Sequence, residues 1–490
     1  MEPFQSAGQY SVGPGIHQPH RHSLNALVRD FDHATIPVAQ ECKKLERSLA
    51  GAFNRKMNKI YSARWVVPVS VAPIENGAVA VAGDLVIGIG NHSDIAGRLP
   101  EFTIESLGEA IILPGLVNSH THLELTAMRG YLENEERDFF AWLRKLTIAR
   151  FERMTPDDIL VSATWGACEA ARAGVTRVDD ASDSAIVSMR ALQDVGLRGV
   201  VYQESFGPDP RLVAENFEKL KSKLQELKSV ESELVRAGVS PHAPYTVCGP
   251  QLELIADLAK SENLPLMMHA AESEAEDQFL REGCGVFAEG LARREIEWKA
   301  SGVSTIQYLK QVGILETRPL LAHCIRVDDE DIETLRSCDA KVAHCPKSNA
   351  KLGHGHAPFA KFIAAGVAVG LGSDSVASNN TCDILEEARF ATLLSRASGA
   401  PVSATAALQA ATGQLKEGMQ ADFTAVALTG AHQVPSYDPI AGLIFSSSGR
   451  DVILTVVAGR EVFRDGRVLT VDEDRLRTRM HEISVKLSHG

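Results

Sequence analysis

Histidines and one aspartate stand at the ends of short apolar runs in this sequence, and their types suit a metal site. His120 and His122 are two residues apart, while His269, His323 and Asp374 each end another run. In an extended segment, residues i and i+2 face the same side, so the paired imidazoles point into one space. Imidazole and carboxylate are natural ligands of a divalent transition metal. The set therefore predicts a metal centre that supports hydrolysis.

Eight apolar runs separated by amphipathic segments must position these side chains. This alternation is typical of β-α-β units and a parallel sheet. It predicts an α/β fold, a (β/α)8 TIM-like barrel whose catalytic groups lie at the carboxyl ends of the strands. The predicted strands are Leu116–His120, Thr176–Asp180, Gly199–Ser205, Val235–Pro241, Pro265–Ala270, Pro319–His323, Lys341–Cys345 and Ala368–Gly372.

Both flanks of this region carry short β-rich runs between turns. We assign 57–112 and 418–475 to a small β-sandwich domain formed by both chain ends, and 113–417 to the catalytic barrel. Residues 476–490 are expected to form a C-terminal tail or helix. Residues 1–56 hold a GPG turn and a His-rich run, and we interpret them as a flexible N-terminal extension.

The composition limits the classes of function. A chain of 490 residues suits one large barrel with an accessory domain. The net charge of −13 argues against a nucleic-acid partner. No apolar run approaches the roughly 18 residues of a membrane span, and the N-terminus has no signal-peptide pattern. The eight cysteines include no CxxC pair, which predicts reduced thiols in a cytoplasmic protein.

Several motifs together resemble the amidohydrolase superfamily. The resemblance runs from about Lys59 to about Asp472 and is strongest to the branch of S-adenosylhomocysteine, methylthioadenosine and aminofutalosine deaminases and related chlorohydrolases. The HxH pair, the HxxE and the aspartate of the eighth strand are specific in combination, although each alone is weak. The motifs are Pro114–His122, His269–Glu272, Ala322–Cys324, His344–Asn349 and Gly370–Asp374.

The resemblance implies a role for each of these side chains. A bound cation would lower the pKa of a water toward neutrality. Asp374 would accept the proton of that water, and His323 would orient the attacking oxygen. Glu272, three residues after His269, would be the general acid that protonates the ring nitrogen beside the attacked carbon. The implied ligands of one Zn²⁺, with Fe²⁺ as the alternative, are His120, His122, His269 and Asp374.

One metal is expected rather than two. Two-metal relatives bridge their ions with a lysine or another acidic group on a middle strand, whereas the fourth strand here ends in His242. Glu204, at the end of the third strand, is a bridging candidate, but a substrate contact is the preferred interpretation.

The resemblance also implies a purine nucleoside substrate. His242 matches a substrate-contacting histidine of nucleoside deaminases. Glu124 matches an acidic residue that reaches a ribose hydroxyl, and its alternative is a buried carboxylate paired with Arg129. The sequence segments around Glu124, Glu204 and Glu272 are most similar to those of aminofutalosine deaminases. The expected reaction is therefore conversion of aminofutalosine to futalosine and ammonia in the alternative menaquinone pathway.

That substrate carries a benzoate, which needs a cation. Arg144, Arg150 and Lys347 are the candidates, and their alternative is a solvated surface charge. Ser348 and Asn349 are expected to line the same pocket.

Other functions remain open on the same residues. The alternatives are deamination of S-adenosylhomocysteine, methylthioadenosine or adenosine, guanine deamination, chlorohydrolysis and a non-enzymatic scaffold. Glu272 favours a leaving group that needs a proton, so amine loss is preferred to halide loss. His122 and Glu124 match the HxE of another zinc deaminase class by letter, but no PCxxC follows. Dimers are common in the resembled branch, which makes a homodimer one expectation.

Overall fold

The computed structural model describes residues 58–136 and 138–489. They belong to one compact unit, which spans Lys56–Gly490. The extension predicted for residues 1–56 lies outside the described residues.

The strands of the described residues form one sheet of mixed direction and two parallel sheets. Their bounds are β1 (Asn58–Val66), β2 (Ile74–Ala82), β3 (Leu85–Asn91), β4 (Thr103–Ser106), β5 (Ala110–Pro114), β6 (Leu116–Thr121), β7 (Val175–Ser182), β8 (Arg198–Ser205), β9 (Val235–Pro241), β10 (Met267–Ala270), β11 (Leu320–His323), β12 (Lys341–His344), β13 (Ala368–Leu371), β14 (Phe423–Ala427), β15 (Val452–Val457), β16 (Arg460–Arg464) and β17 (Arg467–Val468).

Helices lie between all successive pairs of strands from β6 to β13, as the alternating sequence pattern predicts. The α-helices are α1 (His92–Arg98), α2 (Phe139–Ile148), α3 (Pro156–Arg172), α4 (Ala185–Val195), α5 (Val213–Ser229), α6 (Gly249–Ser261), α7 (Glu274–Glu282), α8 (Val286–Ala292), α9 (Thr305–Gln311), α10 (Asp329–Ser337), α11 (Pro346–Lys351), α12 (Phe359–Ala365), α13 (Val376–Asn379), α14 (Ile384–Ala397), α15 (Ala404–Ala411), α16 (Pro439–Phe445) and α17 (Glu473–Ser488).

Strands β6–β9 and β10–β13 form two four-stranded parallel sheets in chain order. The backbone N–H of Val239 in β9 donates to Pro265 O at 2.9 Å, just before β10. On the other side, the N–H of Asp374, three residues after β13, donates to His120 O of β6 at 2.9 Å. The predicted α/β class is confirmed, and each of the eight predicted strands overlaps one of these. Their carboxyl ends therefore lie on one face.

The two chain flanks form a single nine-stranded sheet, with the order β17-β16-β15-β14-β5-β1-β2-β3 and with β4 paired to β1. A sandwich consists of two packed sheets, so the single sheet of the structure differs from the predicted sandwich. The sheet curls, because Val86 N in β3 donates to Met419 O, just before β14, at 2.9 Å. The ring centroids of Tyr61 and Phe423 lie 5.2 Å apart inside the curl. One curled sheet thus encloses an apolar core that a sandwich would bury between two sheets.

The segment after β6 prepares one wall of the site. Asp138 begins α2 by accepting hydrogen bonds from the N–H groups of Phe140 and Ala141, both at 3.1 Å. The helix continues into a π-helical turn, Ala149–Arg153. Such a turn adds a residue and so rotates the side chains that follow it. Within it Arg150 is buried, although a charged residue near a helix end is usually solvated.

Three further expectations bear on the chain as a whole. Helix α17 occupies most of the segment for which the sequence predicts a tail or a helix. The seven cysteines within the described residues are free thiols. None of the helices in 58–136 and 138–489 is long and apolar enough to cross a membrane.

Candidate metal centre and active site

Three histidines from two strands bring their ring nitrogens together at the carboxyl face of the parallel strands. The ligand atoms of His120, His122 and His269 lie within 4.8 Å of one another. The Nε2 atoms of His122 and His269 are 3.2 Å apart. Oδ1 of Asp374 lies 3.6 Å from Nε2 of His120 and 3.6 Å from Nε2 of His122. The four residues predicted as metal ligands therefore surround one small space.

The ring chemistry of these histidines suits metal binding. Nδ1 of His269 lies 2.9 Å from the carbonyl oxygen of His242, so Nδ1 carries the proton and Nε2 keeps its lone pair. Nε2 of His120 is buried and has no hydrogen-bond partner in the described residues. Burial lowers the pKa of His120 to about 4, which keeps this ring neutral at pH 7. Two neutral rings thus direct free lone pairs at the shared space.

Serine hydroxyls hold Asp374 in place. Ser348 Oγ donates to Oδ2 of Asp374 at 2.6 Å, and Ser378 Oγ donates to the same atom at 2.9 Å. The backbone N–H of Ser375 donates to Oδ1 at 2.7 Å. Burial alone would raise the pKa of Asp374, but the neighbouring rings of His120 and His323 hold that pKa well below its usual value. Asp374 is therefore an ionised carboxylate of fixed orientation.

Glu272 lies beside two further histidines. Its Oε1 is 3.7 Å from Nε2 of His323 and 3.7 Å from Nε2 of His354. His323 is fixed from behind, because Nδ1 lies 2.8 Å from Oδ1 of Asn349. Burial opposes protonation of His323, but the carboxylates of Glu272 and Asp374 raise its pKa. Glu272 and His323 therefore face each other just beyond hydrogen-bond distance.

The turn that carries Glu272 is held by a second carboxylate. Glu276, at the start of α7, accepts hydrogen bonds from Ala271 N at 2.8 Å and from Glu272 N at 2.9 Å. Thr305 Oγ1 donates to it at 3.0 Å. Burial raises the pKa of Glu276 to about 7. This role was not predicted from the sequence. The position of Glu276, four residues after Glu272 and in the first turn of a helix, could have indicated it.

A cavity of about 470 Å³ opens over this cluster. Its wall includes the apolar side chains of Phe139, Trp142 and Leu146 from α2, and those of Phe206 and Tyr245 from the opposite side. The predicted site residues that line it are His122, Glu124, Arg150, Glu204, His242, His269, Glu272, His323 and Asp374.

Glu124 and Arg150 form a buried ion pair at the cavity wall. Arg150 Nη2 lies 2.9 Å from Oε2 of Glu124, and their side chains are 6% and 5% exposed. Ser182 Oγ donates to the same carboxylate oxygen at 2.6 Å. The alternative that pairs Glu124 with Arg129 is wrong, since Arg129 binds Glu169. The solvated alternative for Arg150 is also wrong, because the π-helical turn buries it.

Glu204 and His242 complete the polar lining. Oε1 of Glu204 is buried and has no hydrogen-bond partner in the described residues. Burial, together with the neighbouring Glu124 carboxylate, raises the pKa of Glu204 well above its usual value. Burial lowers the pKa of His242 to about 3, and its Nδ1 lies 2.9 Å from Thr246 Oγ1.

Several predicted substrate contacts do not face the cavity. Arg144 is exposed on the outer side of α2. Lys347 does not line the cavity either. Its Nζ lies 2.7 Å from Oε2 of Glu386. Ser348 and Asn349 are fully buried behind it, where their polar atoms contact Asp374 and His323. Helix geometry separates these side chains from the cavity, and the sequence motif alone does not reveal which way they point.

His354 is a further site residue, and the sequence motifs do not identify it. Its Nε2 is buried without a hydrogen-bond partner in the described residues and faces Glu272. The ring of Phe139 packs edge-on against it, with centroids 4.8 Å apart. Its position in a loop after α11 gave no sequence signal for this contact.

Parallel strands that end in a histidine and aspartate cluster, beside a carboxyl group in an apolar cavity, define a hydrolase site of the metal-binding type. Residues 111–462 match the profile of the amidohydrolase family. The chain therefore belongs to the amidohydrolase family and is an enzyme that hydrolyses its substrate, which confirms the resemblance.

Three similar proteins extend this comparison. The 5-methylthioadenosine/S-adenosylhomocysteine deaminase of Pelotomaculum thermopropionicum is 31% identical over 429 residues, which cover 84% of this chain and 94% of that protein. The structure of an adenosine deaminase from Xanthomonas campestris with bound zinc has a TM-score of 0.78 at 23% identity and covers 89% of this chain and 99% of its own. The Helicobacter pylori aminofutalosine deaminase in complex with methylthio-coformycin has a TM-score of 0.69 at 20% identity, over 83% of this chain and 100% of its own. These structures share the fold, which in this family implies a TIM barrel with a β-rich domain.

Proposed function

We propose that this protein is a metal-dependent hydrolytic deaminase that acts on the adenine ring of nucleosides of the 5-methylthioadenosine and S-adenosylhomocysteine type. The observation that carries the proposal is the position of Glu272, a buried carboxyl group that lines the cavity beside His323 and the ligand cluster. The Pelotomaculum thermopropionicum deaminase, whose alignment covers 84% of the chain, supports the substrate class. The eight parallel strands are proposed to close into a (β/α)8 barrel.

One divalent metal, Zn²⁺ in the first instance, would be held by His120, His122, His269 and Asp374. These donors fit the ion, since lone pairs of the rings and one carboxylate oxygen meet in one space. Bound there, a divalent cation lowers the pKa of water and supplies a nucleophile near neutral pH. Glu204, His242 and His269 form a second group of donor atoms within 4.8 Å. His269 belongs to both groups, but its Nδ1 binds a carbonyl oxygen, so only Nε2 is free to bind an ion. We therefore propose a single metal.

The side chains of the cavity divide the proton transfers among them. Asp374 accepts a proton from the attacking water, and His323 orients the water oxygen as it adds to the ring carbon that bears the amino group. Glu272, in its protonated form, donates to the adjacent ring nitrogen. Asp374 then passes its proton to the amino nitrogen, and ammonia leaves. The hydroxyl proton returns to Glu272 as the ring keeps the oxygen as a hypoxanthine. General acid catalysis is needed because an amide ion would be a poor leaving group.

Substrate contacts are proposed for the polar groups of the lining. His242 is neutral at pH 7, because burial lowers its pKa to about 3, and we propose that it contacts a ring nitrogen. We propose that Glu124 and Glu204 contact the ribose hydroxyls. Aminofutalosine is not the preferred substrate. The Pelotomaculum thermopropionicum relative, at 31% identity, is named for other substrates, whereas the aminofutalosine deaminase structure is 20% identical. The candidate cations for a benzoate are exposed, as Arg144 is, or already paired, as Lys347 is.

A direct assay tests the proposal. Zinc-loaded protein would be incubated with 5-methylthioadenosine, S-adenosylhomocysteine, adenosine, aminofutalosine and guanine, and both ammonia and the ultraviolet change from adenine to hypoxanthine would be followed. We expect ammonia from the thioether nucleosides at rates above those for guanine. Release from guanine alone would move the activity to another base, and no release from any compound, with zinc bound, would overturn the deaminase assignment.

A further inference from the structure

The cavity contains no unpaired Lys or Arg side chain among the residues that the structure describes. Arg150 is the one residue of these two types in the described lining, and its charge is matched by Glu124 at 2.9 Å. Its Nη2 also donates to Ser184 Oγ at 2.7 Å, while its Nε is buried without a hydrogen-bond partner in the described residues. The positive charge of the guanidinium is therefore compensated by the Glu124 carboxylate.

The remaining charges of this wall are acidic or balanced. Asp183 lines the cavity and is paired with Lys223 at 2.8 Å, which lies outside the lining. Glu204 is buried beside Glu124, and burial raises its pKa well above its usual value. A carboxylate that entered the cavity would find no unpaired Lys or Arg in the described lining, and a charge buried without a partner on the protein is costly.

One face of the wall is apolar. Phe139, Trp142, Leu143 and Leu146 come from consecutive turns of α2, and Leu352 extends the same surface. An aliphatic or thioether group packs favourably against such a surface because burial removes its apolar area from water. The wall therefore favours a neutral substituent.

On the basis of the proposed function, we propose that the enzyme selects adenine nucleosides whose 5′ substituent is uncharged and apolar, such as a methylthio group, and discriminates against substituents that carry a carboxylate. The paired Arg150 and the apolar face of α2 are the specificity-determining features. The amino-acid tail of S-adenosylhomocysteine is thus a poor fit, although it belongs to the wider substrate class.

Matched substrates test this selection. We would compare kcat/KM for 5-methylthioadenosine, for 5′-butylthioadenosine and for S-adenosylhomocysteine, because the last two have thioether chains of equal carbon number and differ in the charged groups. We expect S-adenosylhomocysteine to be slower than the butylthio compound by about tenfold or more, the scale set by one unpaired buried polar group. Equal or higher kcat/KM for S-adenosylhomocysteine would overturn the inference and leave the deaminase proposal intact. Absence of ammonia from all three would instead overturn the proposed function.

A pair of variants at Thr147 provides a matched control. Thr147 lines the cavity on α2, and its hydroxyl donates within the helix to Leu143 O. Lysine and glutamine have similar length and helix propensity. T147K supplies a cation and is expected to shift the ratio of kcat/KM toward S-adenosylhomocysteine by about threefold or more, whereas T147Q leaves the ratio unchanged. The same ratio in both variants would count against the inference.

Discussion

Replacing Glu272 with glutamine removes the proposed proton donor and little else. Glu272 is 5% exposed, and its Oε1 lies 3.7 Å from two histidine nitrogens. Glutamine has the same shape and keeps the backbone hydrogen bond to Glu276. Positioned acids contribute about 10²–10⁴-fold to a rate. We therefore expect kcat to fall by about 10²–10⁴-fold. This corresponds to a rise of about 3–5 kcal/mol in the activation free energy.

The assay would measure ammonia release by the zinc-loaded variant alongside its metal content. Glu274→Gln is the matched control, because Glu274 is two residues away, with a side chain 70% exposed at the start of α7. The control should retain wild-type turnover. If Glu272→Gln binds zinc and turns over within threefold of the wild type, the carboxyl group is not the general acid.

Three further predictions follow from the same contacts. His269→Ala should lose bound metal and activity together, and retention of zinc would refute the ligand assignment. Glu276→Ala leaves the N–H groups of Ala271 and Glu272 without an acceptor, so the activation free energy should rise by about 1–3 kcal/mol and kcat should fall, with metal content unchanged. An unaltered kcat would refute the positioning role. Burial raises the pKa of Asp180 to about 8, so the stability that this carboxyl group contributes is lost as pH rises from about 4 to about 8, and Asp180→Asn should remove that contribution to the slope. Urea unfolding at pH 5 and pH 8 checks this, with a gain for the variant of at least about 1 kcal/mol at pH 8 relative to pH 5; equal slopes would contradict it.

Much of the site could be predicted because strand ends in an α/β fold meet on one face. The period-two spacing of His120 and His122, and the polar residue that ends each apolar run, locate the cluster without knowledge of loop paths. Buried parallel strands are short continuous apolar runs, so their positions are also readable. In β10 the predicted start at Pro265 moves to Met267, since proline has no N–H to donate to the ladder.

The substrate wall could not be predicted in the same way. Arg150 is buried because a π-helical turn ends α2, and nothing in the local sequence distinguishes this turn from a continuing α-helix. Ser348 and Asn349 point behind the cavity because α11 begins directly after β12 and turns them toward Asp374 and His323. The direction of a side chain on a loop or short helix depends on tertiary packing, and the benzoate prediction depended on that direction.

The central claim is that one metal held by this cluster drives loss of ammonia from an adenine ring. The most direct test titrates metal-free protein with zinc and measures, at each point, ammonia and hypoxanthine product formed from 5-methylthioadenosine. We expect equal amounts of both products and a rate that rises linearly and saturates at one zinc per chain. Saturation at two zinc ions per chain, or bound zinc without ammonia from any adenine nucleoside, would contradict it.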